Sequence, residues 1–233
     1  MKKINTSFKQ FWSTETCLTT ILTFLVLSIF IFYPLSHIYV FRFANSVLFS
    51  LILVSGVVMV LKQRFLAAFL SAFIVTAIIL NFAKLSSENT VLLVFDALAS
   101  FVCCGLLTVI ILVLVFKEGR VTGRHIQGAI AVYLLLGLMW AFLYHILSLT
   151  LPGAFLEAGA ITQDTAGGMR RDLTYFSFVT LTTVGYGDII PVHPLARMLV
   201  ILEALVGQLF PAILLAWLVS MQIVHSKDKK QHN

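Results

Sequence analysis

The chain has 233 residues, 60% hydrophobic and 11% charged, with a formal net charge of +6 from sixteen Lys and Arg against ten Asp and Glu. Mean hydropathy is +1.00. A soluble domain carries about 25% charged residues, so this chain could not clothe a water-exposed surface. A cytosolic enzyme, a disordered tail and a nucleic-acid binder are excluded, and the basic excess reads as an orientation signal in a membrane.

A helix needs about 20 mostly apolar residues to cross the hydrocarbon core. Six such stretches occur, at 17–36, 44–62, 65–83, 89–116, 126–150 and 193–224. The first follows a polar, basic start and has no small-residue cleavage site, so it reads as an anchor rather than a removed signal peptide. With the amino terminus in the cytoplasm, eleven of the sixteen Lys and Arg fall on the inner side: Lys2, Lys3, Lys9, Lys62, Arg64, Lys117, Arg120, Arg124, Lys227, Lys229 and Lys230. Arg42, Lys84, Arg170, Arg171 and Arg197 fall outside. That bias places both termini in the cytoplasm. Cys17, Cys103 and Cys104 lie in apolar runs and read as small buried hydrophobes.

The fourth span, between Asn89 and Phe116, holds Asp96 as its one charged residue and no Lys or Arg. Voltage sensing needs positive charge inside the field, so little intrinsic voltage dependence is expected. Asp96 is either hydrated near the outer interface or paired, with Arg42 and Lys84 as candidate partners. Lys117, Arg120, Arg124 and His125 precede the fifth span. They either lie on the inner lipid surface and couple the two halves, or serve orientation alone. The six histidines form no cluster, and no metal-ligand spacing occurs.

The longest connection, 151–192, is the only one able to hold structure of its own. Pro152, Gly153, Gly159, Gly167 and Gly168 mark its first part as loop. Residues 171–182 are then apolar and aromatic, and too short to span. With Asp172 as a plausible N-cap, they read as a short helix that enters the membrane and returns. Such backbone is tolerated at membrane depth only when buried in protein or lining a watery cavity.

Thr182-Thr183-Val184-Gly185-Tyr186-Gly187-Asp188 follows directly. Here the chain resembles the potassium-channel family, whose filter loop carries this run. The resemblance implies an all-α membrane protein: four transmembrane helices (1–120), then a pore domain (121–233). That pore domain comprises an outer helix at 126–150, a re-entrant pore helix at 171–182, a filter at 183–187 and an inner helix at 193–224. It further implies that K⁺ is held by the carbonyls of Thr183, Val184, Gly185 and Tyr186 and by the Thr183 hydroxyl. A dehydrated cation needs a cage of oxygens. Successive carbonyls converge only if the backbone alternates in handedness, which Gly185 and Gly187 allow without steric penalty. One chain supplies one loop and the cage needs four, so a homotetramer is required for conduction.

The family's brace between the residue after the filter and an aromatic on the pore helix maps to Asp188 and Tyr175, with tyrosine replacing the more frequent tryptophan. Thr182 is a further support candidate. Val179 stands where some bacterial members carry a buried glutamate. Gly207 matches the inner-helix glycine and reads either as a hinge or as a close-packing site. Pro211 reads as a kink. Thr180, Thr182, Gln208 and Ser220 are polar candidates for the inner cavity or for bracing. Glu203 is costly at its depth and calls for a partner, such as the Ser177 or Thr180 hydroxyl, with a proton relay as the alternative.

The reading is therefore a passive, homotetrameric K⁺ channel in a bacterial inner membrane, with no catalysis and no cofactor beyond the permeant ion. Its expected partners are lipids and K⁺. The short tail leaves no room for a fused ligand-binding domain, so such regulation would need a separate subunit. Two rivals are a non-conducting pore-fold subunit and a coupled potassium transporter.

Overall fold

The structure is a computed structural model. It describes residues 14–35, 38–60, 64–85, 89–116, 123–157 and 166–231. The chain forms seven α-helices and two short strands among these residues: α1 (Thr14–Leu27), α2 (Tyr39–Val60), α3 (Arg64–Ala83), α4 (Thr90–Val115), α5 (Gly123–Thr150), β1 (Phe155–Glu157), α6 (Ala166–Leu181), β2 (Ile189–Pro191) and α7 (Pro194–Gln231). It is an all-α membrane protein. Four helices contain stretches long and apolar enough to cross a bilayer: Tyr39–Gly56, Thr90–Val115, His125–Thr150 and Pro194–Met221. The apolar parts of α1 and α3 are shorter, Cys17–Phe32 and Ser71–Ala83.

α1 continues through a π-helical turn, Ser28–Phe32, which closes where the Tyr33 N–H donates to the Ser28 carbonyl ahead of Pro34. Lipid offers no hydrophobic drive between helices, so packing and interhelical hydrogen bonds decide association. Ser28 Oγ donates to Asn45 Oδ1 on α2 at 2.6 Å. Asn81 of α3 donates to the Ser46 carbonyl of α2 at 3.1 Å. Cys17 Sγ lies 3.2 Å from the Ser55 carbonyl. All three cysteines are buried and none forms a disulfide.

One continuous core joins these helices to α5: Leu18, Ile21 and Leu25 of α1, Ile52 and Leu53 of α2, Cys104, Leu107 and Ile111 of α4, and Val132 and Leu135 of α5. Glycine makes the close approaches possible. A Cβ on Gly128 would stand 2.6 Å from Val115 Cγ2, so α4 and α5 pack tightly there. The expected divide at 120/121 lies outside the described residues.

Asn89 caps α4, its side chain accepting from the Val91 N–H. Asp96 is paired with Lys84, 2.6 Å from Nζ to Oδ2, with both side chains nearly buried. This settles the alternatives for Asp96 in favour of Lys84, one helix back, over Arg42 or hydration.

Several boundaries move from their sequence-based positions. α6 begins at Ala166 rather than 171, so Asp172 lies inside the helix and is not its N-cap. Gly167 and Gly168 thus fall in a helix rather than a loop, because the tertiary setting outweighs their poor propensity. α7 starts at Pro194, a residue suited to the first helical turn, and runs to Gln231, beyond the expected 224. It continues through Pro211.

The two strands were not anticipated. β1 pairs antiparallel with β2 in the register Phe155 to Pro191, Leu156 to Ile190 and Glu157 to Ile189. The Val192 N–H adds a bond to the Ala154 carbonyl at 2.9 Å. The segment after residue 188 is thereby stitched to the segment leaving α5.

Candidate ion-conducting site

The candidate site is assembled by α5, α6 and α7. α6 ends on buried Leu181, and residues 182–188 follow as an exposed loop without regular structure. The helix end is closed by the loop's own amides. The Thr183 N–H donates to the Thr180 carbonyl at 2.9 Å, and the Val184 N–H to the Val179 carbonyl at 3.0 Å. This pair of bonds is a Schellman cap, whose residue after the cap position must adopt left-handed backbone. That residue is Thr183, at φ 60°. Glycine is usual there, and a β-branched residue in this region is strained.

Gly185 at φ 58° and Gly187 at φ 77° are also left-handed. Handedness therefore alternates at 183, 185 and 187, with Thr183 the only non-glycine residue of positive φ among the described residues. Gly185 and Gly187 were legible as left-handed positions in the sequence. Thr183 was not, because its side chain argues against that conformation. Alternation of this kind turns successive peptide carbonyls toward one side.

Tyr175 and Asp188 lie near each other across the loop, close enough for the carboxylate to disfavour loss of the tyrosine proton. Asp188 Oδ1 also accepts from the Ile189 N–H at 3.1 Å. Thr182, in contrast, donates to the Phe178 carbonyl of its own helix at 2.6 Å.

Behind the loop, the register among the three helices is regular. Tyr133 of α5 donates to the Leu181 carbonyl at 3.1 Å, and one turn along, Gly137 meets Ser177, so α5 and α6 run antiparallel. Glu203 of α7 meets Ser177, and Gly207 meets Leu181, so α6 and α7 run parallel. A Cβ on Gly137 would stand 2.5 Å from the Phe178 ring, and one on Gly207 would stand 2.0 Å from the Leu181 carbonyl oxygen. Gly207 is thus a close-packing site in this structure.

Glu203, Tyr144 and Ser177 are wholly buried. Tyr144 donates to Glu203 Oε2 at 2.6 Å. Ser177 Oγ lies 2.5 Å from Glu203 Oε1 and 2.8 Å from the Gly137 carbonyl oxygen. Ser177, rather than Thr180, is the pore-helix partner of Glu203. Tyr144 also packs edge-on or tilted against Phe155 and Phe176, at 5.4 and 5.5 Å between centroids. Tyr133, Gly137 and Tyr144 escaped the sequence reading. Their signal was polar or small residues on one side of an otherwise apolar span.

α7 is largely uncovered. Leu195, Met198, Ile201, Leu205, Leu209 and Ile213 are all at least half exposed. Gln208 and Pro211 are also exposed.

Residues 130–223 match the family model described as "Ion channel". Part of the chain is 43% identical over 60 residues to the inward rectifier potassium channel Kirbac3.1 of Paramagnetospirillum magnetotacticum, covering 26% of this chain and 20% of that protein. Another comparison gives 43% identity over 70 residues to two pore potassium channel c of Oryza sativa subsp. japonica, covering 30% and 14%. Protein LctB of Bacillus caldotenax is 34% identical over 82 residues, covering 35% and 60%. Over part of its length the chain is thus similar to potassium channels. It spans between 14% and 60% of the length of these relatives. No solved structure matches significantly.

Proposed function

We propose that the protein is a potassium-selective channel that conducts passively as a homotetramer. The carrying observation is the alternation of backbone handedness at Thr183, Gly185 and Gly187, in a loop that follows the carbonyl end of α6. Such a strand offers a row of peptide oxygens, and four strands around one axis stack them into cages that replace the hydration shell of K⁺. Thr183, Val184, Gly185 and Tyr186 supply the carbonyls, and Thr183 adds its hydroxyl. Gly187 carries the turn away from the axis. Tyr175 and Asp188 brace the loop from behind, while Thr182 anchors its inner end to the pore helix. The carbonyl end of α6 carries negative partial charge and favours a cation in the cavity beneath.

The apolar exposure of α7 supports assembly, since a helix uncovered over much of its length needs neighbours of its own kind or lipid. Gly207 seats the inner helix against the pore helix, and Pro211, one turn on, is the place where the inner helix kinks. The expected setting is a bacterial inner membrane with both termini in the cytoplasm. The relation to potassium channels favours conduction over the regulatory-subunit and coupled-transporter readings.

The test is potassium flux from liposomes holding the purified chain alone, with sodium as the competing gradient. Selective potassium flux is expected. Its absence in the chain alone, together with its appearance on adding another pore subunit, overturns this reading in favour of the regulatory one.

A further inference from the structure

The triangle of Glu203, Ser177 and Gly137 has one proton too few if Glu203 is a carboxylate. A serine hydroxyl carries a single proton. Ser177 Oγ has two oxygens within hydrogen-bond reach, Glu203 Oε1 at 2.5 Å and the Gly137 carbonyl at 2.8 Å. The carbonyl can only accept. With an ionised Glu203, Ser177 can serve one of the two, and its lone pairs then face the other. With a protonated Glu203, every contact is satisfied.

The surroundings point the same way. Glu203 is completely buried, and the hydrogen-bond partners of its carboxylate oxygens are the neutral hydroxyls of Tyr144 and Ser177. An unpaired buried charge is costly, and more so at membrane depth. The elements packed against α7 are α5, α6 and β2. α5 offers Tyr144, which donates to Oε2, and Tyr133, whose hydroxyl is engaged by the Leu181 carbonyl. α6 offers the neutral Ser177, while its Tyr175 is exposed rather than buried with the carboxyl. β2, Ile189–Pro191, carries no titratable side chain. The last turns of α6 beside the carboxyl are the negative end of that helix.

We propose that Glu203 is a proton-binding site behind the filter. Its neutral carboxylic acid donates from Oε1 to Ser177 Oγ, Ser177 donates to the Gly137 carbonyl, and Tyr144 donates to Oε2. One proton thereby ties the inner helix to the pore helix and the outer helix. Loss of that proton obliges Ser177 to turn to the carboxylate and release Gly137, which loosens the brace and makes conduction sensitive to pH. The conduction part rests on the channel reading, whereas the proton site does not.

Infrared difference spectra of the full chain in lipid, wild type minus Glu203→Gln, separate the two. At neutral pH the wild type shows the carbonyl stretch of a protonated carboxylic acid that Glu203→Gln lacks, and Ser177→Ala shifts that band by removing its acceptor. Absence of such a band, or indifference of the band to Ser177→Ala, overturns the site. In potassium flux, Glu203→Gln keeps the wild-type rate, because its amide also donates to Ser177 and accepts from Tyr144. The wild-type rate falls as the pH is raised until the acid band disappears, while that of Glu203→Gln stays flat. Identical pH profiles overturn the regulatory part. A chain that shows the band but passes no potassium under any condition defeats the channel reading and leaves the proton site standing.

Discussion

Gly207 and Leu181 meet backbone to backbone: a Cβ on Gly207 would stand 2.0 Å from the carbonyl oxygen and 2.8 Å from the carbonyl carbon of Leu181. The inner helix therefore seats itself on the last residue of the pore helix, directly before the loop that alternates in handedness. Side chains can swing aside, but this neighbour is main chain. Movement of α7 toward α6 at this point must displace the end of α6, and with it the start of the loop at Thr182.

Gly207→Ala sets two readings against each other. In an unconstrained helix, alanine is favoured over glycine by about 1 kcal/mol, so a pure hinge would stiffen and the protein would gain stability. Backbone overpacking costs about 1–3 kcal/mol, and here α7 must shift. Thermal unfolding in detergent is expected to show a net loss for Gly207→Ala, with loss of flux. Gly105→Ala is the control: its Cβ meets only Met139 Sδ, at 3.6 Å, and a gain in stability of about 1 kcal/mol is expected. A stabilised Gly207→Ala protein with wild-type flux would refute the packing role.

Gly185→Ala tests backbone conformation without crowding. A Cβ there meets nothing within 4 Å in the single chain, but φ is 58°. Forcing an L-residue into left-handed backbone costs about 1–2 kcal/mol. The single-chain fold should survive, as read by circular dichroism, while potassium over sodium selectivity in flux is lost. Retained selectivity in a folded Gly185→Ala protein counts against carbonyl convergence at this loop.

The part of this site legible in the sequence was the part written in exceptional residues. TTVGYGD marks the loop because glycine alternation has few other uses, and Glu203 stood out because a carboxyl in an apolar helix demands a partner. Ser177 was within reach of that logic, since it lies on the short helix that must face α7. Thr183 was hidden: its β-branched side chain predicts extended backbone, and only the cap geometry of α6 overrides it. β1 and β2 were hidden for another reason. Three residues each, among glycine and proline, carry too little periodicity to read, and their pairing is a long-range event. The Lys84–Asp96 bond was visible only as one of two alternatives, because the order of helices around α4 is not contained in hydropathy.

Lys84 and Asp96 form a nearly buried ion pair. Removing one partner of such a pair costs about 3–5 kcal/mol, because the other charge stays buried alone, whereas replacing both with apolar residues is often neutral. Lys84→Met and Asp96→Leu are each expected to lower the unfolding temperature. The double variant is expected to recover most of the loss, giving a coupling well above the error of a double-mutant cycle. Additive losses would show that the pair is not an energetic unit.

That ion pair also bears on the response to voltage. Moving one elementary charge through the field supplies about 2.3 kcal/mol per 100 mV, so steep gating requires several mobile charges in each subunit. α4 has no Lys or Arg from Thr90 to Val115, and its one acid is paired with Lys84. Arg42 stacks over the Tyr39 ring at 5.5 Å from its centroid. Neither arrangement offers a row of charges that could slide through the membrane. The conductance of the reconstituted protein in symmetric potassium, without blocking ions, is therefore expected to vary little with voltage. Asp96→Asn should not add steepness, since it frees a single lysine near the interface. A steep conductance–voltage curve in the wild type would require gating charge from elsewhere in the chain and would overturn this expectation.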